Sequence, residues 1–330
     1  MKPFVTYLLI ISLVLSFILT GCTSERNNAT SSYEHAVDSS YTATLSQDGS
    51  YSIVSSIHHG LSFWDVKNDA LKYQWSHQGS ENNLVLVSAI SANNSHVLTA
   101  DRSNFALWSI TTGKSGGFFK IRNSNIRDVA ISNNAKHLLI GKSNGVVVHI
   151  TLAGGRRIEF LGHQEKINSI DMSPNGRFAL SGSNDYVAYL WDTQSGQVIH
   201  RFNHPSRVTK VALDPKGRYA FTADSKKQAQ IWDLLTGKAI SRLNYAARQN
   251  VFSAVRFNSE GTLLATGAPS RKLTLWDVKT GRKLQSWTVA PRKSSRPKGA
   301  VVHSVSFINN DSQLLTESSS GLAEVWDIDI

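Results

Sequence analysis

The sequence predicts an all-β chain of seven successive repeats, each of four short strands, and three observations predict it. A Trp-Asp pair returns at Trp64-Asp65, Trp191-Asp192, Trp232-Asp233, Trp276-Asp277 and Trp326-Asp327, mostly at a period of about forty residues that belongs to repeat architectures. Trp108-Ser109 and His149-Ile150 fall at matching positions where the pair has drifted, which makes seven repeats. Around each pair the residues alternate in the manner of half-buried strands, as in Val187-Ala188-Tyr189-Leu190-Trp191 and Leu273-Thr274-Leu275-Trp276. Turn formers recur between the strands, in Ser173-Pro174-Asn175-Gly176, Asp214-Pro215-Lys216-Gly217 and Asn258-Ser259-Glu260-Gly261, and after each pair in Thr112-Gly113, Ser195-Gly196, Thr236-Gly237 and Thr280-Gly281. Residues 33–330 thus form one repeat domain. A chain of this size hides roughly 75% of its unfolded surface, so a large core is feasible.

The Trp-Asp pairs and their turns resemble the WD40 family across almost all of residues 33–330. The resemblance implies a seven-bladed β-propeller that acts as a non-catalytic platform for docking proteins. It also implies, within a blade, a hydrogen-bonded tetrad of His, Ser or Thr, Asp and Trp. The fourth repeat matches that pattern best, with His163 after Gly162, then Ser181, Asp185 and Trp191, while the other repeats keep fragments of it. Ser, His and Asp together also invite comparison with a hydrolytic triad, but in such a family a buried hydrogen-bond network is the better reading. Only three residues follow Asp327, so the seventh repeat lacks its outer strand. The segment Tyr33 to Val37, ahead of the first inner strand Tyr41 to Leu45, is expected to supply it, which would leave no unpaired edge.

Residues 1–21 read as an export signal: Lys2 gives a positive start, Val5 to Leu19 an apolar core, and Gly21 a small residue before the only cysteine, Cys22. The run is short for a membrane span, which takes about 20 apolar residues. Leu19-Thr20-Gly21-Cys22 resembles the lipobox of bacterial lipoproteins, which implies diacylglycerol and palmitate-type chains on Cys22 and a membrane-anchored protein. Thr23, where an Asp would resemble an inner-membrane retention signal, leads to an outer-membrane location facing the periplasm in a host with two membranes. Residues 22–32 are then an acylated cysteine and a flexible polar tether. With one cysteine, no intramolecular disulfide is expected.

The formal net charge is +11 and the pI near 9.7, which favours an acidic partner. Export argues against nucleic acid and leaves acidic envelope proteins, or lipopolysaccharide, anionic lipid or wall polymer. The densest basic stretch, Arg292, Lys293, Arg296 and Lys298, lies in the longest connection between repeats. It is expected on the same rim as Lys226, Lys227, Arg271 and Lys272, although Lys216, Lys238 and Arg282 place further cations in the opposite turns. His58-His59 with His77 would suit a zinc site only if their loops converged, and without a spacing motif they read as solvated. No phosphate loop, zincin motif or nucleophile elbow occurs. The inner strands Ile167 to Asp171 and Val208 to Val211 show no repeated acidic ring of the kind a channel hydrolase would need. The expectation is a monomeric interaction scaffold of the cell envelope, without metal or cofactor. Direct binding of anionic envelope material is the alternative, and a propeller hydrolase comes last.

Overall fold

Alternating strands that end in tight turns pair with their sequence neighbours, and the computed structural model contains seven four-stranded antiparallel sheets of this kind. It describes residues 28–77, 84–245, 251–293, 296 and 298–330; the expected signal segment, Cys22 and half of the expected tether lie outside the described residues. Six sheets, the blades, are contiguous: residues 40–75, 87–120, 126–160, 167–203, 208–242 and 254–288. The seventh takes three strands from residues 302–327 and its outer strand from Ser31–Glu34. The first strand of each blade is innermost, and each touches the next around a closed ring. This is the seven-bladed propeller the sequence predicts.

The closing strand is Ser31–Glu34, with Ser31 opposite Val325 and Glu34 opposite Leu322. It therefore begins and ends earlier than the expected Tyr33 to Val37. The chain leaves the edge after Glu34 because His35 and Ala36 both donate their N–H groups to the Gly321 carbonyl, at 2.9 and 3.1 Å. The His35 ring then turns inward, Nδ1 lying 2.6 Å from Glu317 Oε1, and stacks on Trp64 at 4.6 Å. A side chain at Gly321 would collide with the Ala36 carbonyl, and its φ of 82° is one that glycine tolerates.

The apolar core is divided among the seams between blades, each cluster drawing on two neighbours. An aromatic residue ending one blade's outer strand stacks on the repeat Trp of the next. Trp75 lies 4.8 Å from Trp108, Phe160 4.6 Å from Trp191 and Phe202 4.6 Å from Trp232, contacts worth about 0.5–1.5 kcal/mol each beyond their buried area. Blade 3, with His149 at the Trp position, lacks this stack. Its His149 pairs with His137 of its own blade at 5.2 Å, and burial lowers its pKa to about 4.

Close to the channel, side chains of one inner strand bond the backbone of the next. Asp128 Oδ2 accepts from Ile170 N–H at 2.9 Å and Asp171 Oδ2 from Leu213 N–H at 2.7 Å. Arg256 reverses the polarity, donating to the Val305 and Leu45 carbonyls at 2.7 and 3.2 Å. Burial raises both carboxyls, Asp171 to about 6, with Arg256 opposing the shift. Oδ2 of each thus bridges two blades, while Oδ1 accepts locally from the N–H of the following residue.

Candidate interaction face

The alternation of strands sends the turns to two rims. One rim, the upper face, carries the turns between second and third strands and the connections between blades. The other carries the remaining turns.

Buried polar chains fix the upper connections to the blades. In blade 4, His163 Nδ1 lies 2.8 Å from Asp185 Oδ2 and its Nε2 2.9 Å from Ser181 Oγ. Trp191 fills the expected position, but its indole N–H has no hydrogen-bond partner among the described residues. Ser181 is fully buried, so no substrate reaches its hydroxyl. A second chain runs through blade 5, which keeps the Trp link that blade 4 lacks but holds its Asp less closely. There Trp232 donates to Thr222 Oγ1 at 2.7 Å, Thr222 Oγ1 lies 2.8 Å from His204 Nε2, and His204 Nδ1 is 3.5 Å from Asp224 Oδ2. Blade 2 varies the scheme: Trp108 donates to Thr99 Oγ1 at 2.8 Å, His77 Nε2 lies 3.3 Å from the Thr99 carbonyl oxygen instead, and His77 Nδ1 is 3.6 Å from Asp101 Oδ2. His77 therefore lies on the connection between blades 1 and 2, as expected, but is buried there rather than solvated. Among the described residues no three His, Cys, Asp or Glu side chains are grouped to hold a metal.

The basic residues sit on this braced upper face. Lys226 and Lys227 form the second-to-third-strand turn of blade 5, where their N–H groups and that of Gln228 converge on Asp224 Oδ1 at 2.8–3.0 Å. Arg271 and Lys272 occupy the equivalent turn of blade 6; Arg271 Nε donates to the Val289 carbonyl at 2.8 Å and Lys272 Nζ to Thr288 Oγ1 at 2.9 Å. A parallel bridge between Ser270 and Ala300 lays the long connection against that turn. The base of the connection closes through Arg292 N–H to the Gly299 carbonyl at 3.1 Å. It is held to blade 7 by Glu324, whose carboxylate accepts from Ala290 N–H at 3.1 Å. Burial pushes the Glu324 carboxyl up to about 7, although that bond and the nearby Arg271 favour its charged form. Lys293 reaches Glu34 at 3.2 Å, whereas Lys226, Lys227, Lys272, Arg296 and Lys298 are exposed and have no ion-pair partner among the described residues.

The lower rim mixes its charges: Lys238 and Arg282 are exposed there without an ion-pair partner among the described residues, but other cations are paired. Lys216 pairs with Glu260, Arg218 with Asp214 and Arg177 with Asp192. The Asp of the repeated pair also lies here: Asp192, Asp233 and Asp277 each accept from the N–H two or three residues on at 2.7 Å, capping the turn. Arg102, Arg122 and Arg207 extend the exposed cations around the upper face, opposed chiefly by Asp38, Glu165 and Asp185.

The WD domain, G-beta repeat family matches residues 155–192 and 196–233. The chain carries WD40 repeats. Each matched stretch begins near or at one blade's outer strand and ends with the next blade's Trp-Asp pair, the same one-strand offset by which Ser31–Glu34 completes blade 7. No curated protein matches the chain. WD40 propellers typically act as scaffolds that bind other proteins, and here the rim braced by the histidine chains is also the rim with surplus positive charge.

Proposed function

We propose that this protein is a non-catalytic WD40 scaffold, lipid-anchored through Cys22 in a bacterial envelope, that docks an acidic protein on its upper face through Lys226, Lys227, Arg271, Lys272, Arg292, Lys293, Arg296 and Lys298. The observation that carries the reading is the unequal charge of the two rims. On the lower rim Lys216, Arg218 and Arg177 meet carboxylates and the repeat aspartates add negative charge, while Lys226, Lys227, Lys272, Arg296 and Lys298 stand above without an ion-pair partner among the described residues, so the upper face attracts and orients an acidic partner.

The direction of the closing strand bears on what the face meets. Glu34 ends that strand beside Lys293 at the upper rim, whereas Thr30 enters it beside Asp327, with Thr30 Oγ1 donating to Asp327 Oδ2 at 2.9 Å, toward the lower rim. From Cys22 to Thr30 there are eight peptide steps, at most ~27 Å of chain and a relaxed span of about 16 Å. Laying the upper face on the anchoring bilayer takes roughly 20 Å of that reach, four strand residues plus the turns above them. The tether thus favours a face turned toward the compartment, and a protein partner over the anchoring lipid itself.

The test uses the acylated full chain in vesicles containing anionic lipid. Acylation consumes the natural cysteine, so a cysteine introduced at Lys272 or Lys238 is the single labelling site. A probe at 238 lying closer to the bilayer than one at 272 supports the reading, and the reverse order favours direct lipid binding. Labelling of Cys22 in the unsubstituted protein would instead refute the anchor.

A further inference from the structure

Each blade's outer strand has one free edge, because it ends its sheet. Exposed Lys72, Glu159 and Arg201 stand within the outer strands of blades 1, 3 and 4, a common protection against pairing with another chain. The outer strand of blade 2, Ser115–Lys120, has no charge in its middle and exposes Phe118 and Phe119 instead. The exposure of Phe119 has its cause in blade 3. Phe119 stands opposite Phe105, three residues before Trp108, as Phe202 stands opposite Ala188, three before Trp191. Phe202 is buried under Trp232 of the next blade. Blade 3 brings no Trp to its seam with blade 2, so Phe119 rests on Phe105 at 5.0 Å and stays 43% exposed.

The free edge has a definite register. Ile121 N–H donates to the Ser103 carbonyl at 2.7 Å, and Phe119 opposite Phe105 is the next hydrogen-bonded pair along the ladder. Phe118 and Lys120 therefore turn their N–H and C=O groups away from the sheet. A further antiparallel strand would bond those two residues, and the residue it sets opposite Phe119 would fall in a non-hydrogen-bonded pair, where side chains approach most closely. Lys114 precedes the strand, Lys120 ends it and Arg122 lies just beyond; all three are exposed and have no ion-pair partner among the described residues. Asp101, 8% exposed, is the only carboxylate in residues 84–122, and Glu159 on the neighbouring outer strand is bonded to Arg157.

We infer that this edge takes an extended segment of another protein as a fifth strand of blade 2, an apolar side chain of that segment covering Phe119 and acidic residues at its ends meeting Lys114 and Lys120. The cations select acidic ends, and they also disfavour a second copy, since antiparallel self-pairing would set Lys114 of one strand beside Lys120 of the other. The site lies on the perimeter and is independent of docking on the upper face.

A fluorescein-labelled peptide of alternating Val and Thr between paired Glu residues tests this by anisotropy against the purified full chain. With Val over Phe119, the Thr amides bond the edge. N-methylation of the Thr amides should therefore weaken binding at least tenfold, while N-methylation of the Val amides leaves it unchanged. Hydrogen exchange at Phe118 and Lys120 should slow when the peptide is bound. Phe119→Thr, and separately Lys114→Glu with Lys120→Glu, should each weaken binding at least tenfold, whereas Lys226→Glu with Lys272→Glu should not. Absence of binding, equal binding of the two methylated peptides, or unchanged exchange at the edge overturns the inference. Loss of binding only in the variant at 226 and 272 would put the peptide on the upper face, which overturns the edge and leaves the acidic-partner reading standing. Self-association of the full chain abolished by Phe119→Thr would show a second copy to be the occupant, which also overturns it.

Discussion

Glu324 offers the sharpest test of how the basic connection is held. It is 4% exposed, it accepts from Ala290 N–H, and burial raises its carboxyl to about 7 from an ordinary 4.5. Between those two values the folded protein holds more protons on this group than the unfolded chain does. Stability therefore falls as pH rises through that window and levels off above it. At 1.36 kcal/mol per unit, the ionised carboxylate costs at most about 3 kcal/mol above pH 7, reduced by whatever water and Arg271 relieve. Glu324→Gln keeps the volume and can still present an oxygen to Ala290 N–H, but it does not titrate.

Urea unfolding of both proteins at several pH values between 5 and 8 reads the effect. The variant should gain on the natural protein as pH rises, by about 1–3 kcal/mol at pH 8 relative to pH 5. Asp171, raised to about 6 in the channel, contributes a slope of the same sign, but it is present in both proteins and cancels in the difference. A stability difference that stays constant from pH 5 to 8 would refute the reasoning. Glu324→Ala, which leaves Ala290 N–H without its acceptor, should lower stability across the whole range.

Other outcomes follow from the same contacts. Thr222→Val should cost about 1–3 kcal/mol in thermal or urea unfolding, since it strands both the Trp232 N–H and the His204 ring inside blade 5. Phe160→Ala should cost about 3–5 kcal/mol by opening the seam over Trp191, and a loss below 1 kcal/mol would mean the seam collapses to fill the gap. Cys22→Ser should move the protein from the membrane to the soluble fraction or leave it unprocessed, and unchanged acylation would sink the lipoprotein reading.

The repeat number and strand order were legible because they depend on local pattern: Trp at one place in each repeat, turn formers at the next. Blade 3 keeps four strands even though His149 and Ile150 replace the pair, because alternation and turns persist there without the Trp. What local pattern cannot show is long-range pairing. The closing strand ends early because His35 meets Glu317, 282 positions away, and no periodicity encodes that. The blade 5 chain is obscured in the sequence because Asp224 stands two residues after Thr222, whereas Asp185 stands four after Ser181, and because His204 lacks a preceding glycine. The burial of His77 is hidden from local pattern for a related reason: its partners, Thr99 and Asp101, become neighbours only when blade 1 leads into blade 2.

The charge difference between the rims has its source in the repeat signature itself. The Asp of the Trp-Asp pair ends the third strand, so it is delivered to the lower rim in every repeat that keeps it, and in blades 4, 5 and 6 it caps the turn there. Ser109 does the same in blade 2 without charge, accepting from Thr112 N–H at 3.3 Å. The aspartates of the upper face serve differently. Asp224 is buried beneath its turn, and Asp185 is bonded to His163, so each stabilises the frame more than it shields the surface. A chain with a surplus of lysine and arginine, folded on this repeat, thus concentrates its unbalanced charge on the rim of the blade connections. Because Thr30 enters blade 7 from the other side, the same topology that separates the charges also separates the incoming N-terminal chain from the face proposed to dock.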